Sequence, residues 1–204
     1  MNENQIFWIG FTIIILGVGS LILFWPSPED TSYNGFEFSQ GPDGFYYVEI
    51  NTAVGDQVVP FYHHPSELED IPFNQSALTA LAIVQNNQGN VKIALDTRFS
   101  NDSYVVVAGV EVSKITGKVF YMPTTSAFTE PIANITKYYT CDNASPTSYV
   151  VLFNQSDENR IDSIGYCTVL QATTARESVK LANLLVYKAL GVMKWLTTTV
   201  KTKQ

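Results

Sequence analysis

The hydropathy pattern opens on "IFWIGFTIIILGVGSLILFW", 20 residues from Ile6 to Trp25 without a charge. At about 1.5 Å of rise per residue such a run matches a hydrocarbon core of roughly 30 Å, so the pattern predicts a transmembrane helix over 6–25. A cleaved signal would carry Lys or Arg ahead of a shorter apolar run and small residues before the cut. Here no basic residue precedes the run and the exit reads Phe24-Trp25-Pro26, so a retained anchor is expected. Trp8 and Trp25 mark its two ends, where indole rings favour the headgroup region. Gly10 and Gly17 share one helix face, which would admit a close helix partner.

A Pro/Ser/acid linker over 26–32 leads into a pattern that changes period several times. Aromatic runs on either side of Gly41-Pro42-Asp43-Gly44 predict a hairpin. A third strand over 58–62 follows the Gly55-Asp56 turn, with Pro60 pointing to a sheet edge. An acidic turn over 67–70 precedes "SALTALAIVQ", helical by its Ala and Leu content. "VKIALD", "YVVLFN" and "YCTVLQA" are continuous apolar runs of core-strand length, the last two flanking a polar loop and the short "RIDSI" segment. "SYVVVAGVEVSKITGKVFYM" is ambiguous. Its valines and a turn at 114–117 favour a hairpin, whereas Val105, Ala108, Val112, Ile115 and Val119 fall on one helical face, and the helix is preferred. Thr174 and Glu177 open a final helix with a capping-box pattern, Val179, Ala182, Val186, Ala189 and Leu190 form its stripe, and Gly191 stops it. The expected architecture is α/β (α+β): one mixed sheet covered by helices over 33–192, then a polar basic tail over 193–204.

Charge sharpens placement. With 12 basic against 19 acidic residues and a net charge of −7, the chain lacks the basic footprint of a nucleic-acid binder. All twelve bases lie from Lys92 onward, and no Lys or Arg flanks the apolar run to set its direction. Five Asn-x-Ser/Thr sequons, at Asn74, Asn101, Asn134, Asn143 and Asn154, together with the acidic exit Glu29-Asp30 and two distant cysteines, favour a cytoplasmic N-terminus and a domain outside. Cys141 and Cys167 are too few for a structural zinc site and lack CxxC spacing. Outside they would form one disulfide; in the cytosol they would stay reduced.

Candidate chemistry is sparse. His63 and His64, the only histidines, stand near Glu67, Glu69 and Asp70 and are the metal candidates, with His63, His64 and Glu67 foremost. Neighbours on a strand point to opposite faces, so both imidazoles reach one ion only if the chain turns. The plainer reading is polar surface ahead of Pro65. Asp96, at a strand end, and Asp102 offer a carboxylate pair or two helix caps. Phe45-Tyr46-Tyr47 and Tyr138-Tyr139 suit stacking on a sugar or peptide, and equally a packed sheet. No HExxH, GxSxG or phosphate-cradling glycine motif occurs, so no catalytic residue and no cofactor is assigned.

The order NGFEF, hairpin, HHPSELEDIP, strand ending in Asp96, Cys141-Asp142-Asn143 followed by VVLFNQ, then CTVLQA and a helix stopping at LGV resembles an uncharacterised group of small single-pass archaeal membrane proteins over most of the chain. The resemblance implies an N-terminal anchor, an outside α/β domain, a Cys141 to Cys167 pair and a helix over 104–116. It brings no known activity. The expectation is a non-enzymatic, single-pass, membrane-anchored extracytoplasmic protein, an envelope component or accessory subunit of a membrane complex, whose partners are the lipid membrane and other membrane-protein subunits. Its alternatives are a metal-assisted hydrolase using His63, His64 and nearby acids, and a surface glycan- or peptide-binding module.

Overall fold

The computed structural model describes residues 31–52, 55–132 and 136–194. The predicted span over 6–25, Asn134 and the chain after Lys194 lie outside the described residues; among the described ones no helix is long and apolar enough to cross a membrane.

Among the described residues nine strands form two sheets. A four-stranded antiparallel sheet contains, in order, β1 (Thr31–Tyr33), β2 (Phe36–Gln40), β3 (Tyr46–Thr52) and β4 (Gly55–Phe61). A five-stranded mixed sheet has the order β6 (Thr124–Phe128), β5 (Asn90–Leu95), β7 (Ser148–Gln155), β9 (Cys167–Ala172) and β8 (Arg160–Ile164), with only β8 antiparallel to its neighbour. Three α-helices among the described residues, α1 (Ser76–Asn86), α2 (Ser103–Lys118) and α3 (Ala175–Ala189), pack with them.

Period-2 alternation builds the smaller sheet. Phe38, Val48 and Val59 stand opposite one another in register and are buried, while Glu37, Glu49 and Val58 face outward. The hairpin at 41–44 forms as expected. The sheet also gains β1, which starts at Thr31 inside the expected linker and turns through Asn34 and Gly35, both at positive φ (52° and 88°), the geometry of a tight two-residue hairpin. Gly55 and Asp56 belong to β4 itself, Gly55 pairing with Thr52.

The ambiguous valine-rich stretch is α2. Asp102 caps it by accepting from the Tyr104 amide at 2.9 Å, and Val105, Ala108, Val112 and Ile115 are buried. Residues 114–117, the alternative hairpin turn, lie inside the helix. The 3.6-residue stripe outweighs β propensity because α2 and α3 lie between the two sheets and bury that face. On one side the Phe61 ring lies 4.2 Å from Tyr187 of α3; on the other, Gly109 of α2 approaches Ile93 and Leu95 of β5, where an added Cβ would meet them at 3.5 and 3.7 Å. One expected mixed sheet is therefore corrected to two sheets with helices between them.

Other departures have local causes. "RIDSI" is β8, held on its outer side by a parallel bridge between Phe73 and Ile161. β6, "TTSAF", carries too weak an apolar pattern to be foreseen. Thr174 accepts from the Glu177 amide at 3.2 Å, but the Glu177 carboxylate accepts from Lys180 and Asn159 instead of closing the capping box. Met193, the first residue of the expected tail, is buried.

Among the described residues no α-helix covers the far face of the five-stranded sheet. Ala94, Val150, Cys167 and Val169 are covered by residues 136–147, irregular apart from a 3-10 turn at Cys141–Asn143, through Tyr139 and Cys141, and the Cys141 to Cys167 disulfide fastens that segment, with Cα atoms 5.3 Å apart.

Candidate functional site

The chain leaves β5 toward β6 on one side and leaves β7 toward β8 on the other. Their carboxyl ends thus flank a switch point, where open α/β sheets hold ligands. A cavity of about 570 Å³ opens there, lined by Asp96, Thr97, Arg98, Thr129, Thr140 and Asn154 among others.

Asp96 organises the crevice. Its carboxylate accepts from the Arg98 amide at 2.9 Å, from Arg98 Nε at 2.9 and 3.1 Å, from Arg98 Nη2 at 2.5 Å and from the Gln155 amide at 3.0 Å. Burial by itself raises the Asp96 pKa, but the Arg98 side chain, the two backbone amides and the guanidinium charge outweigh it and hold the group below the usual carboxylate range. Arg98 Nη2 also donates to Asn154 Oδ1 at 3.2 Å and to the Gln155 carbonyl at 2.9 Å, tying the ends of β5 and β7 together. A carboxylate so fully engaged cannot serve as a base. The Thr129, Thr97 and Thr140 hydroxyls, the Glu130 carboxylate and the outer edge of Arg98 offer hydrogen bonds to a polar ligand, and among the described residues neither His nor Cys lines the cavity. Asp102 caps α2 and shares no hydrogen-bond partner with Asp96, so the two are not brought together as a carboxylate pair.

The imidazoles of His63 and His64 diverge. His63 Nδ1 stands 3.2 Å from Glu67 Oε2. His64 turns inward, with Nδ1 at 2.7 Å from Ser66 Oγ and 3.4 Å from the Ser66 amide, and Nε2 at 3.2 Å from Thr31 Oγ1. A neutral ring protonated on Nε2 satisfies all three. Phe38, Tyr46 and Tyr33 surround it at ring distances of 5.0, 5.3 and 5.9 Å, and this burial lowers its pKa, against the charge of Glu67. Glu67 Oε1 accepts from the His64 amide at 2.9 Å in a capping box over Pro65–Leu68. Among the described residues no three His, Cys, Asp or Glu gather as a metal-binding group.

The aromatic candidates are dispersed. Tyr46 faces His64, Tyr47 donates to Asp43 at 2.5 Å on the opposite face, and Tyr138 stands exposed beside the other sheet. Phe45 pairs with Tyr62 at 4.6 Å. Of the described sequons, Asn74, Asn101 and Asn143 are exposed. Asn154 is half-buried at the end of β7, its amide nitrogen bonded to the Gln155 carbonyl at 3.2 Å.

Sequence reasoning missed Arg98 and a buried polar group between the layers. Glu111 of α2 accepts from Lys114 Nζ at 2.6 Å and from Asn183 Nδ2 of α3 at 2.7 Å. Asn183 Oδ1 accepts from the His63 amide at 3.2 Å, the Tyr187 hydroxyl donates to the His63 carbonyl at 2.8 Å, and Lys114 donates to the Pro60 carbonyl. Burial lowers the Lys114 pKa, opposed by Glu111. The set pins the end of β4 to α2 and α3. Its signal was legible, since Glu111 falls between Ala108 and Val112 on the apolar stripe with Lys three residues on.

No family model, no curated protein and no solved structure matches this chain.

Proposed function

We propose that the chain is a non-enzymatic, single-pass membrane protein, N-terminus cytoplasmic, that carries its disulfide-tied α/β domain outside the membrane as an envelope component or an accessory subunit of a membrane complex. The observation that carries this reading is the Cys141 to Cys167 bond, which closes an irregular cover over a sheet face in the manner of proteins made in oxidising compartments. The uncharged 6–25 run supports the anchor, and the resemblance to small archaeal single-pass proteins supports both. The engaged carboxylates of Asp96 and Glu111 and the diverging His63 and His64 support a role in binding or assembly rather than hydrolysis. Exposed Asn74, Asn101 and Asn143 are the acceptors through which such a domain takes glycans.

The test is mild detergent extraction of membranes from the source cells, with identification of what co-purifies and thiol labelling before lysis. Recovery in the membrane fraction, blocked cysteines and a defined set of co-purifying membrane proteins are expected. Freely labelled Cys141 and Cys167 in intact-cell extracts would remove the outside placement, and a protein that purifies alone would remove the accessory-subunit role.

A second reading is favoured by the crevice at Asp96 and Arg98, whose volume and polar lining suit a small polar ligand such as a sugar. Saturable glycan-array binding that is lost in Thr129→Val would establish it.

A further inference from the structure

The crevice beyond the carboxyl ends of β5, β6 and β7 holds one guanidinium edge and one carboxylate that the fold itself leaves unused. Asp96 takes the Nε and Nη2 side of Arg98, and Asn154 Oδ1 with the Gln155 carbonyl takes the rest of Nη2. Four acceptors on one side fix the plane of the guanidinium. Nη1 is left with no partner among the described residues, on a side chain that is 56% exposed. Glu130, two residues past the end of β6, lines the same cavity and is exposed, yet it forms no ion pair with Arg98 or with any other described residue. A cation edge and an anion thus share one crevice without meeting.

The walls around them are held in place. The Thr129 amide donates to the Leu95 carbonyl at 2.9 Å, which fixes the start of the Glu130 loop on β5, and Thr140 precedes the disulfide-bonded Cys141. The Thr97 and Thr129 hydroxyls have no partner among the described residues. The Thr140 hydroxyl accepts from the Asp142 amide at 3.3 Å and keeps its own proton to donate. Leu152 is the one apolar side chain among the described lining residues.

We infer that the crevice takes a small zwitterion, a free α-amino acid, with its carboxylate on Arg98 Nη1, its ammonium toward Glu130 and a polar side chain among the three threonine hydroxyls. The inference rests on the reading of this crevice as a site for a small polar ligand, and the charges select the class. Asp96 and Glu130 together outweigh one guanidinium, so a phosphate or a sugar acid meets a net negative wall. A neutral sugar strips water from Glu130 and from Nη1 and returns no opposite charge to either. A simple amine answers Glu130 and leaves Nη1 bare. A zwitterion satisfies both groups at once, and an Arg edge already held rigid loses little freedom in binding it. The cavity, about 570 Å³, falls within the size range of small-molecule sites.

The test is isothermal titration calorimetry at pH 7 on the full chain in mild detergent, with each of the twenty L-amino acids separately. Saturable binding of at least one is expected, and its N-acetyl form and its α-amide form, which lack the ammonium and the carboxylate in turn, are each expected to bind at least about tenfold more weakly. Glu130→Gln, at an exposed position without a partner, is expected to weaken binding at least about tenfold with an unchanged melting temperature. The inference is overturned if no amino acid binds saturably, if either blocked form binds as well as the free one, or if Glu130→Gln binds like wild type. Neutral glycans that bind and are lost in Thr129→Val, where no amino acid binds, would overturn the zwitterion and leave the polar-ligand reading standing; binding of neither class would remove both.

Discussion

The two faces of the five-stranded sheet are covered by different means. On one face Val91, Ile93, Leu95, Tyr149, Val151, Phe153, Ile161 and Leu170 join a core with all three helices and the smaller sheet. On the other, among the described residues, Ala94, Val150, Cys167 and Val169 meet the 136–147 segment. Helices satisfy their own backbone and bring a broad apolar stripe, so burial suffices to hold them. An irregular segment buries far less for each residue ordered, and there a covalent bond does the holding.

The sharpest way to break the contrast is to hollow the helix-covered face. Phe153→Ala removes a fully buried ring and is expected to cost about 3–5 kcal/mol in urea unfolding, enough to unfold much of the population at 37 °C. Removing the bond on the other face, Cys141→Ser with Cys167→Ser, opens a loop with a sequence separation of 26 and is expected to cost about 3–4 kcal/mol. Limited proteolysis separates the two variants. The cysteine variant should be cut first within 129–147, and Phe153→Ala throughout; equal cleavage patterns would mean that the two faces unfold as one.

Between the layers, Glu111→Leu or Lys114→Met alone leaves a buried charge without its partner and is expected to cost about 3 kcal/mol, whereas the double variant is expected to cost less than the sum of the two, the remainder coming from the Asn183 amide and the Pro60 carbonyl left without partners. Comparing thermal midpoints of the three reads the coupling directly. The Thr174→Ala cap on α3 should cost about 1 kcal/mol. The smallest effect concerns pH. His64 has its folded pKa lowered from 6.5, so the unfolded chain takes up the proton more readily. The contribution is fully present above about pH 6.5 and is lost as pH falls through the folded value. His64→Gln should flatten that slope in melts from pH 7.5 to 5; an unchanged slope would assign it to other groups.

Much of this fold is legible in the order of residues. The hairpin at 41–44, the edge strand with Pro60, α1, the three core strands and the capped last helix all follow local rules of turn chemistry and period. β6 and β8 escaped because edge strands of five residues with mixed polarity carry little periodic signal. The candidate crevice was half legible. Asp96 stood out as a strand-end carboxylate, but its engagement by Arg98 and Gln155 depends on β7 arriving beside β5 from almost sixty residues away, with Gln155 reached at a separation of 59.

By itself, then, the sequence determined the first and last helices and the core strands, where most of these begin and stop, and that two cysteines were free to pair. These are consequences of side-chain period, caps and turn residues within a dozen positions. The tertiary structure alone decided that there are two sheets rather than one, that helices separate them and which face a disulfide closes. Those outcomes depend on how distant surfaces fit. Glu111 meets Asn183 across 72 residues, a pairing that no local pattern encodes, because it exists only once α2 and α3 lie side by side.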